Sequence, residues 1–350
     1  MDVRLNDEHA LVQQTAARLA ADHALLVAPT DHERAESDDG AWSALRDTDF
    51  LAMHAPEDQG GAGASALDVA LVAEQLAARL CPVPFVAQAI LGPELLALSG
   101  LGELVAGVAS GSQRVALALD ANLNGIARVG EPAVAWDSAH ATHALLLDEA
   151  DRLCWFEITG DALPVLDRTR VVRAIDASGS VNLPRLADVA MSADDRARFD
   201  ALAYTVIAAD LVGVMASAVD SAVSYVRDRE QFGVVVGTFQ AVQHLAADAA
   251  VFLEGSRSSM WHAAWAVDAL APNEARLAAR QAKAYCSRAA RQVVEISVQL
   301  HGGIAITWEH LAHVRVRRAL FLVASFGDER AHLRAIADAR LGEVPAEVAH

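Results

Sequence analysis

Two short stretches carry the side chains of this chain best suited to chemistry. The first, Tyr225-Val-Arg-Asp-Arg-Glu-Gln-Phe-Gly233, holds Arg229 and Phe232, and Thr238-Phe-Gln-Ala-Val-Gln-His244 follows it with Gln240. The second, Gln299-Leu-His-Gly-Gly303, ends on Gly302 and Gly303. A guanidinium makes forked, charge-assisted hydrogen bonds to phosphate oxygens. Phe232 offers an aromatic face, and Gln240 and Gln299 offer amides. Paired glycines take positive φ and let a backbone approach a ligand closely. Each residue also has a plainer reading. Arg229 could pair on the surface with Asp228 or Glu230, and Phe232 could fill a core. Gln240 could be an ordinary helix-surface residue, and the glycines could simply end a helix. The His, Asp and Glu residues show no metal-ligand spacing, so no metal site is expected; His244 and His301 read as structural.

The elements that must position these residues follow from periodicity. Apolar residues recur at helical spacing from residue 6 to 28, and shorter helices fit 41–50, 87–99 and 101–110. Ser65 is placed to cap a long helix reaching about residue 80. The Pro- and Gly-rich run over 51–63 reads as a loop. From residue 114 the pattern changes to short apolar runs at 115–119, 144–148, 153–158 and 170–174, separated by Gly, Asp, Asn and Pro. These read as strands of an antiparallel unit. The helical period returns at Ser192, with helices expected near 193–228, 238–268, 273–301, 308–323 and 328–341. The expected fold class is α+β: an N-terminal helical domain over 1–111, a small β domain over 112–190 and a C-terminal helical bundle over 191–350.

Composition narrows the function classes. The 350 residues are enough for two or three structural units, and a net charge of -18 argues against a nucleic-acid surface. Lys283 is the only lysine, so nearly every cation is arginine. Cys81, Cys154 and Cys286 form no CxxC pair and no even framework, which suits a reduced, cytoplasmic protein. The opening residues are polar where the apolar core of an export signal would fall. The most apolar stretch, 201–219, is interrupted by Asp210; it is short for a membrane span of about 20 residues and reads as a buried bundle helix.

In order and spacing, the two ligand-type stretches resemble the C-terminal helical domain of acyl-CoA dehydrogenases. Pro56-Glu-Asp-Gln-Gly-Gly-Ala-Gly-Ala-Ser65, with Asp68 and Val72-Ala-Glu-Gln-Leu76, resembles the glycine loop and following helix of the same family. The resemblance runs over nearly the whole chain and implies the family's fold with a C-terminal four-helix bundle. It also implies that Arg229, Phe232, Gln240, Gln299, Gly302 and Gly303 contact the adenosine-diphosphate half of FAD across a subunit interface. The implied activity is α,β-desaturation of an acyl-CoA thioester, with electrons passed to an electron-transfer flavoprotein.

The chain departs from the family where the reaction happens. The glutamate that takes the α-proton falls, by spacing, on Phe326, within Ser325-Phe-Gly-Asp-Glu329. The alternative position used by some members falls on Ala203. Neither side chain accepts a proton, so no catalytic residue is assigned; Asp200 and Asp328 are the nearest substitutes, with Glu329 beside the latter. The family's segments that cradle the flavin ring are missing over 112–160. Because the adenosine-half contacts are kept while the ring half and base are lost, the resemblance points to a heteromer. This chain would complete the FAD site of a catalytic partner in an α2β2 assembly. Bulky steroid-CoA thioesters are the expected substrate class. Two alternatives stay open: a self-sufficient homomeric flavoenzyme with a relocated Asp base, and a non-enzymatic scaffold.

Overall fold

A computed structural model describes residues 5–29, 33–175 and 184–342. Residues 30–32 of the expected polar loop, and 176–183 of the expected β region, lie outside it.

The N-terminal part is helical: α1 (Asp7–Asp22), α2 (Asp39–Asp47), α3 (Ala66–Ala78), α4 (Gly92–Leu98) and α5 (Gly102–Ala109). Local chemistry sets the boundaries. The Asn6 side chain accepts from the His9 amide and starts α1, which stops at Asp22 rather than at 28. Ser65 and Asp68 form a reciprocal capping box at α3. The expected helix at 87–99 begins earlier, as a π-helical turn at Phe85–Leu91. There the Gln88 amide donates to Asp137 O at 2.7 Å and Ala139 O at 2.8 Å, so the widened turn docks on the sheet.

The middle is one six-stranded sheet of β1 (Val115–Asp120), β2 (Ala133–Trp136), β3 (His143–Leu147), β4 (Arg152–Glu157), β5 (Arg173–Ile175) and β6 (Arg185–Ala190), in the order β5-β2-β1-β3-β4-β6. The sheet is mixed, which corrects the antiparallel expectation: β1 and β3 run parallel, with Val115 opposite His143. Apolar runs show that strands exist but not which edges pair. Arg170, read as the start of a strand, instead lies in a buried turn before β5.

The C-terminal part contains α6 (Ala193–Asp228), the hairpin β7 (Glu230–Gln231) and β8 (Val234–Val235), α7 (Gln240–Ala269), α8 (Pro272–His301), α9 (Ala312–Ala324) and α10 (Glu329–Leu341). Ser192 and Asp195 cap α6 as Ser65 and Asp68 cap α3. Every residue of 201–215 in α6 is buried, as its apolar run requires. By length and composition α6 could cross a membrane, yet 83% of its most apolar stretch is covered by the fold. α3 lies directly on it: a Cβ on Gly213 would come within 2.3 Å of Glu74 O. The fold is that of a helical N-terminal and C-terminal part with a mixed sheet between them.

Candidate functional site

The fold brings the two ligand-type stretches, seventy residues apart in sequence, to one end of the bundle. The hinge is a small apolar cluster in which Val226 of α6 and Leu300 of α8 pack with Val236, Val242 and Ile296. His301 reinforces it. Its Nδ1–H donates to Ser297 O at 2.7 Å, which leaves Nε2 to accept from the Ser221 hydroxyl at 3.1 Å. Burial holds this imidazole below the usual histidine range, so it stays neutral in that role.

Around this hinge the predicted residues face outward. Arg229 ends α6 and is exposed; among the described residues it has no carboxylate within 4.0 Å, so the plainer alternative, a surface pairing with Asp228 or Glu230, does not form. Phe232 and Gly233 make the two-residue turn of the hairpin, with φ of 56° and 78°. That pair of left-handed residues is the geometry of a type I′ turn, in which a phenylalanine is unusual. The Phe232 ring is 93% exposed, so it fills no core within this chain. Gln240 is the first residue of α7, whose start has no side-chain cap. Gln299 is exposed two residues before the end of α8. Gly302 ends that helix with φ of 65°, which suits glycine. Gly303 is different: its φ is not positive, and a Cβ there would meet nothing within 4 Å. Its own packing does not demand glycine, so the open backbone is free to meet something outside the chain. An unpaired guanidinium, two exposed amides and an accessible glycine backbone fit a phosphate-bearing group such as the adenosine-diphosphate half of FAD.

The positions where a base was sought are built in the opposite way. Phe326 is 1% exposed and has φ of 58°. Its ring meets Trp136 of β2 edge-on at 5.8 Å and Phe199 of α6 at 6.4 Å. Its N–H donates to Leu123 O, at the tip of the turn after β1. Asp120 closes that turn by accepting from the Asn122 and Asn124 amides. The region after β1, where the family's ring-binding segment was not found, is therefore a tight turn pinned to Phe326. Ala203 is fully buried as well. A flavin ring does not fit at Phe326 as these residues stand.

The substitute carboxylates point elsewhere. Asp200 lies 3.9 Å from Arg196 and 3.6 Å from Arg276, and burial raises its pKa against those pairings. Asp328 is exposed and caps α10 by accepting from the Ala331 amide at 2.8 Å. Glu329 pairs with Arg288 at 2.7 Å. Each carboxylate has a structural partner of its own.

Two buried polar groups behind Phe326 went unassigned in the sequence. The chain's only lysine, Lys283, is fully buried; its Nζ donates to Val323 O at 3.2 Å and Gly327 O at 3.1 Å, with Ser287 Oγ at 3.1 Å. His332 Nε2–H donates to Phe326 O at 3.1 Å. Together they clamp the 325–328 turn. Burial pushes Lys283 down to about 7 and His332 down to about 3. The second group is an ionic cluster. Arg170 reaches Asp137 at 2.6 Å, Asp167 at 3.3 Å and Asp210, and its guanidinium lies over the Trp136 ring. Arg318 of α9 reaches Asp210 at 2.9 Å and Thr169 Oγ1 at 3.1 Å. The one available signal was Asp210 itself: a charge inside an apolar helix needs a buried partner. Among the described residues, no group of three or more His, Cys, Asp or Glu is placed to hold a metal ion.

Comparison with known proteins agrees with this architecture. The family described as "Acyl-CoA dehydrogenase, N-terminal domain" matches residues 6–103, and "Acyl-CoA dehydrogenase, C-terminal domain" matches 201–341. A protein named acyl-CoA dehydrogenase IpdE2, from Mycolicibacterium smegmatis, is 29% identical over 342 residues, spanning 94% of this chain and 98% of its own. Its Mycobacterium tuberculosis namesake is 29% identical over 324 residues, or 89% and 91% of the two chains. Among solved structures, a chain of the Tcur3481-Tcur3483 steroid ACAD is similar with a TM-score of 0.77 and 25% identity, covering 95% of this chain and 97% of that one. A chain of the ChsE4-ChsE5 complex from Mycobacterium tuberculosis shares the fold with a TM-score of 0.82 at 22% identity, covering 99% and 100%.

Proposed function

The chain belongs to the acyl-CoA dehydrogenase family, and from that premise we propose that it is the subunit of a heteromeric enzyme that completes its partner's FAD site without supplying the base. The observation that carries this reading is the burial of Phe326 at the base position while Arg229, Gln240, Gln299 and Gly303 stand open at the bundle end. The chemistry a bound FAD supplies is acceptance of a hydride from the β-carbon of an acyl-CoA thioester as a base takes the α-proton. In this chain, Arg229 would neutralise diphosphate charge. Gln240 and Gln299 would donate or accept at the nucleotide, Phe232 would pack beside the adenosine, and the Gly302-Gly303 backbone would let it approach. Phe326, Trp136 and Phe199 exclude a ring from the chain's own junction. The flavin-ring pocket, acyl pocket and base then come from a catalytic chain of the same family, two of each in the assembly. Electrons leave to an electron-transfer flavoprotein.

The likeness to a steroid ACAD supports a steroid-CoA ester as the substrate class. The three cysteines are free and buried, in keeping with a reducing cytoplasm. The self-sufficient alternative draws no support from Asp200 or Asp328, because both carboxylates are engaged away from Phe326. The test is purification with and without a co-expressed family member that carries a glutamate base. A colourless chain that becomes part of a yellow, active complex only with its partner is expected. A yellow chain that turns over acyl-CoA by itself contradicts the reading.

A further inference from the structure

A cleft of about 500 Å³ opens on the bundle where α1, α3, α6, α7 and α9 converge. Arg79, Arg257, Arg315 and Ser217 bring donors to it, Ser221 lines it with its hydroxyl hydrogen given to His301, and Glu74 and Asp220 are its acidic residues. Cations exceed anions, and the anions do not serve the cation that matters. Glu74 Oε1 accepts from Arg257 Nε at 3.1 Å and Nη2 at 3.0 Å. Asp220 is exposed. Arg315, by contrast, has no carboxylate within 4.0 Å among the described residues. Its Nε donates to Ser217 Oγ at 2.9 Å, and its Nη1 is buried without a partner. Burial alone pulls this guanidinium down to about 10. The buried or half-buried arginines 170, 257 and 318 each hold a carboxylate. Arg315 is a desolvated cation awaiting a counter-charge, and such a group is costly while it stays unpaired.

We propose that this cleft binds an oxyanion of the phosphate class, with Arg315 as its main contact and Arg79 and Ser217 as supporting donors. A guanidinium fork, a second cation and a free hydroxyl suit an anion with three or four oxygens better than a two-oxygen carboxylate. The volume falls in the range of about 300–1,000 Å³ typical of small-molecule sites. The cleft also adjoins the nucleotide end of the bundle, since Ser221 donates to His301, the residue before Gly302. Two sources share this chemistry: a phosphate carried by a nucleotide or CoA ester, and free inorganic phosphate or diphosphate. The proposal stands whether or not the chain works as a partner-completing subunit.

The test is calorimetric titration and thermal unfolding of the full chain, or of its co-purified complex. Inorganic phosphate and diphosphate are compared with chloride at matched ionic strength. Saturable binding and a raised midpoint are expected. Arg315→Gln should weaken the phosphate affinity by at least about tenfold, as loss of a charged hydrogen bond does. In chloride that variant should unfold no earlier than the wild type, because it removes a half-buried cation that has no carboxylate partner, so lost binding is not lost folding. Arg79→Gln should weaken binding by a smaller factor. Titration repeated with saturating FAD and acyl-CoA separates the sources: persistent binding assigns free phosphate, and competition assigns the phosphates of the nucleotide or ester. No effect beyond chloride, or equal affinity in Arg315→Gln, overturns the proposal.

Discussion

The end of the bundle and the junction of the three layers treat polar groups in opposite ways. At the bundle end, Arg229 has no ion pair among the described residues, Phe232 is 93% exposed in a left-handed turn, and Gly303 faces open space. At the junction, Asp210 holds two arginines, Lys283 holds two carbonyls, and Phe326 is wedged between Trp136 and Phe199. A surface left incomplete is specified by what will cover it; a filled junction is specified by its own packing. Under the proposed function, the open end is the half of the family's cofactor site that this chain would keep, and the filled junction is the half it would leave to a partner.

Perturbing the junction should give the largest effects. Asp210→Ala strands the Arg170 and Arg318 guanidinium groups in the interior and should cost about 3–5 kcal/mol in denaturant unfolding. A loss below about 1 kcal/mol would show that the cluster relaxes to solvent, and the junction would lose its claim to be closed. Phe326→Ala should cost about 3–4 kcal/mol through the cavity it leaves. If that variant instead binds flavin without loss of stability, the ring site is latent rather than filled.

How much of this was legible from the sequence divides along the same line. The bundle end could be read because its residues keep a family's order and spacing, and the counts to Phe326 and Ala203 needed only arithmetic along helices. The capping residue Ser65 marked a helix start, because a cap is a local interaction. The junction could not be read. Asp137, Asp167, Arg170, Asp210 and Arg318 come from a strand end, a loop and two helices. Nothing local signals their meeting beyond a single charge inside an apolar helix. The parallel pairing of β1 with β3 and the π-helical turn under Asp137 were hidden for the same reason.

Lys283 offers a subtler probe of the junction. Burial lowers its folded pKa to about 7, against 10.5 in the unfolded chain. Between those values the unfolded state binds more protons, so this group adds stability as pH rises. Relative to Lys283→Met, the wild type should gain up to about 1.4 kcal/mol per pH unit above pH 7. A flat difference would mean the ammonium is not desolvated.

The open end should behave otherwise. Arg229→Ala should leave fold stability within about 0.5 kcal/mol. The same change should weaken FAD retention in the assembled complex by more than about tenfold, the worth of a charged phosphate contact. Undiminished flavin on dilution would remove Arg229 from the site. The smallest effects belong to the displaced carboxylates. Asp200→Asn, Asp328→Asn and Glu329→Gln should each keep turnover of the complex within about tenfold, whereas loss of a general base costs a factor of roughly 100 to 10,000.

The flavin content of purified protein tests the division between the two regions most directly. Flavin released by acid would be measured against each chain, for this chain alone and for its complex with a base-bearing partner. The expected result is no retained flavin on the isolated chain and one flavin for each pair of unlike chains in the complex, lost when Arg229 is replaced. One flavin on every copy of this chain, with turnover and no partner, would contradict the account.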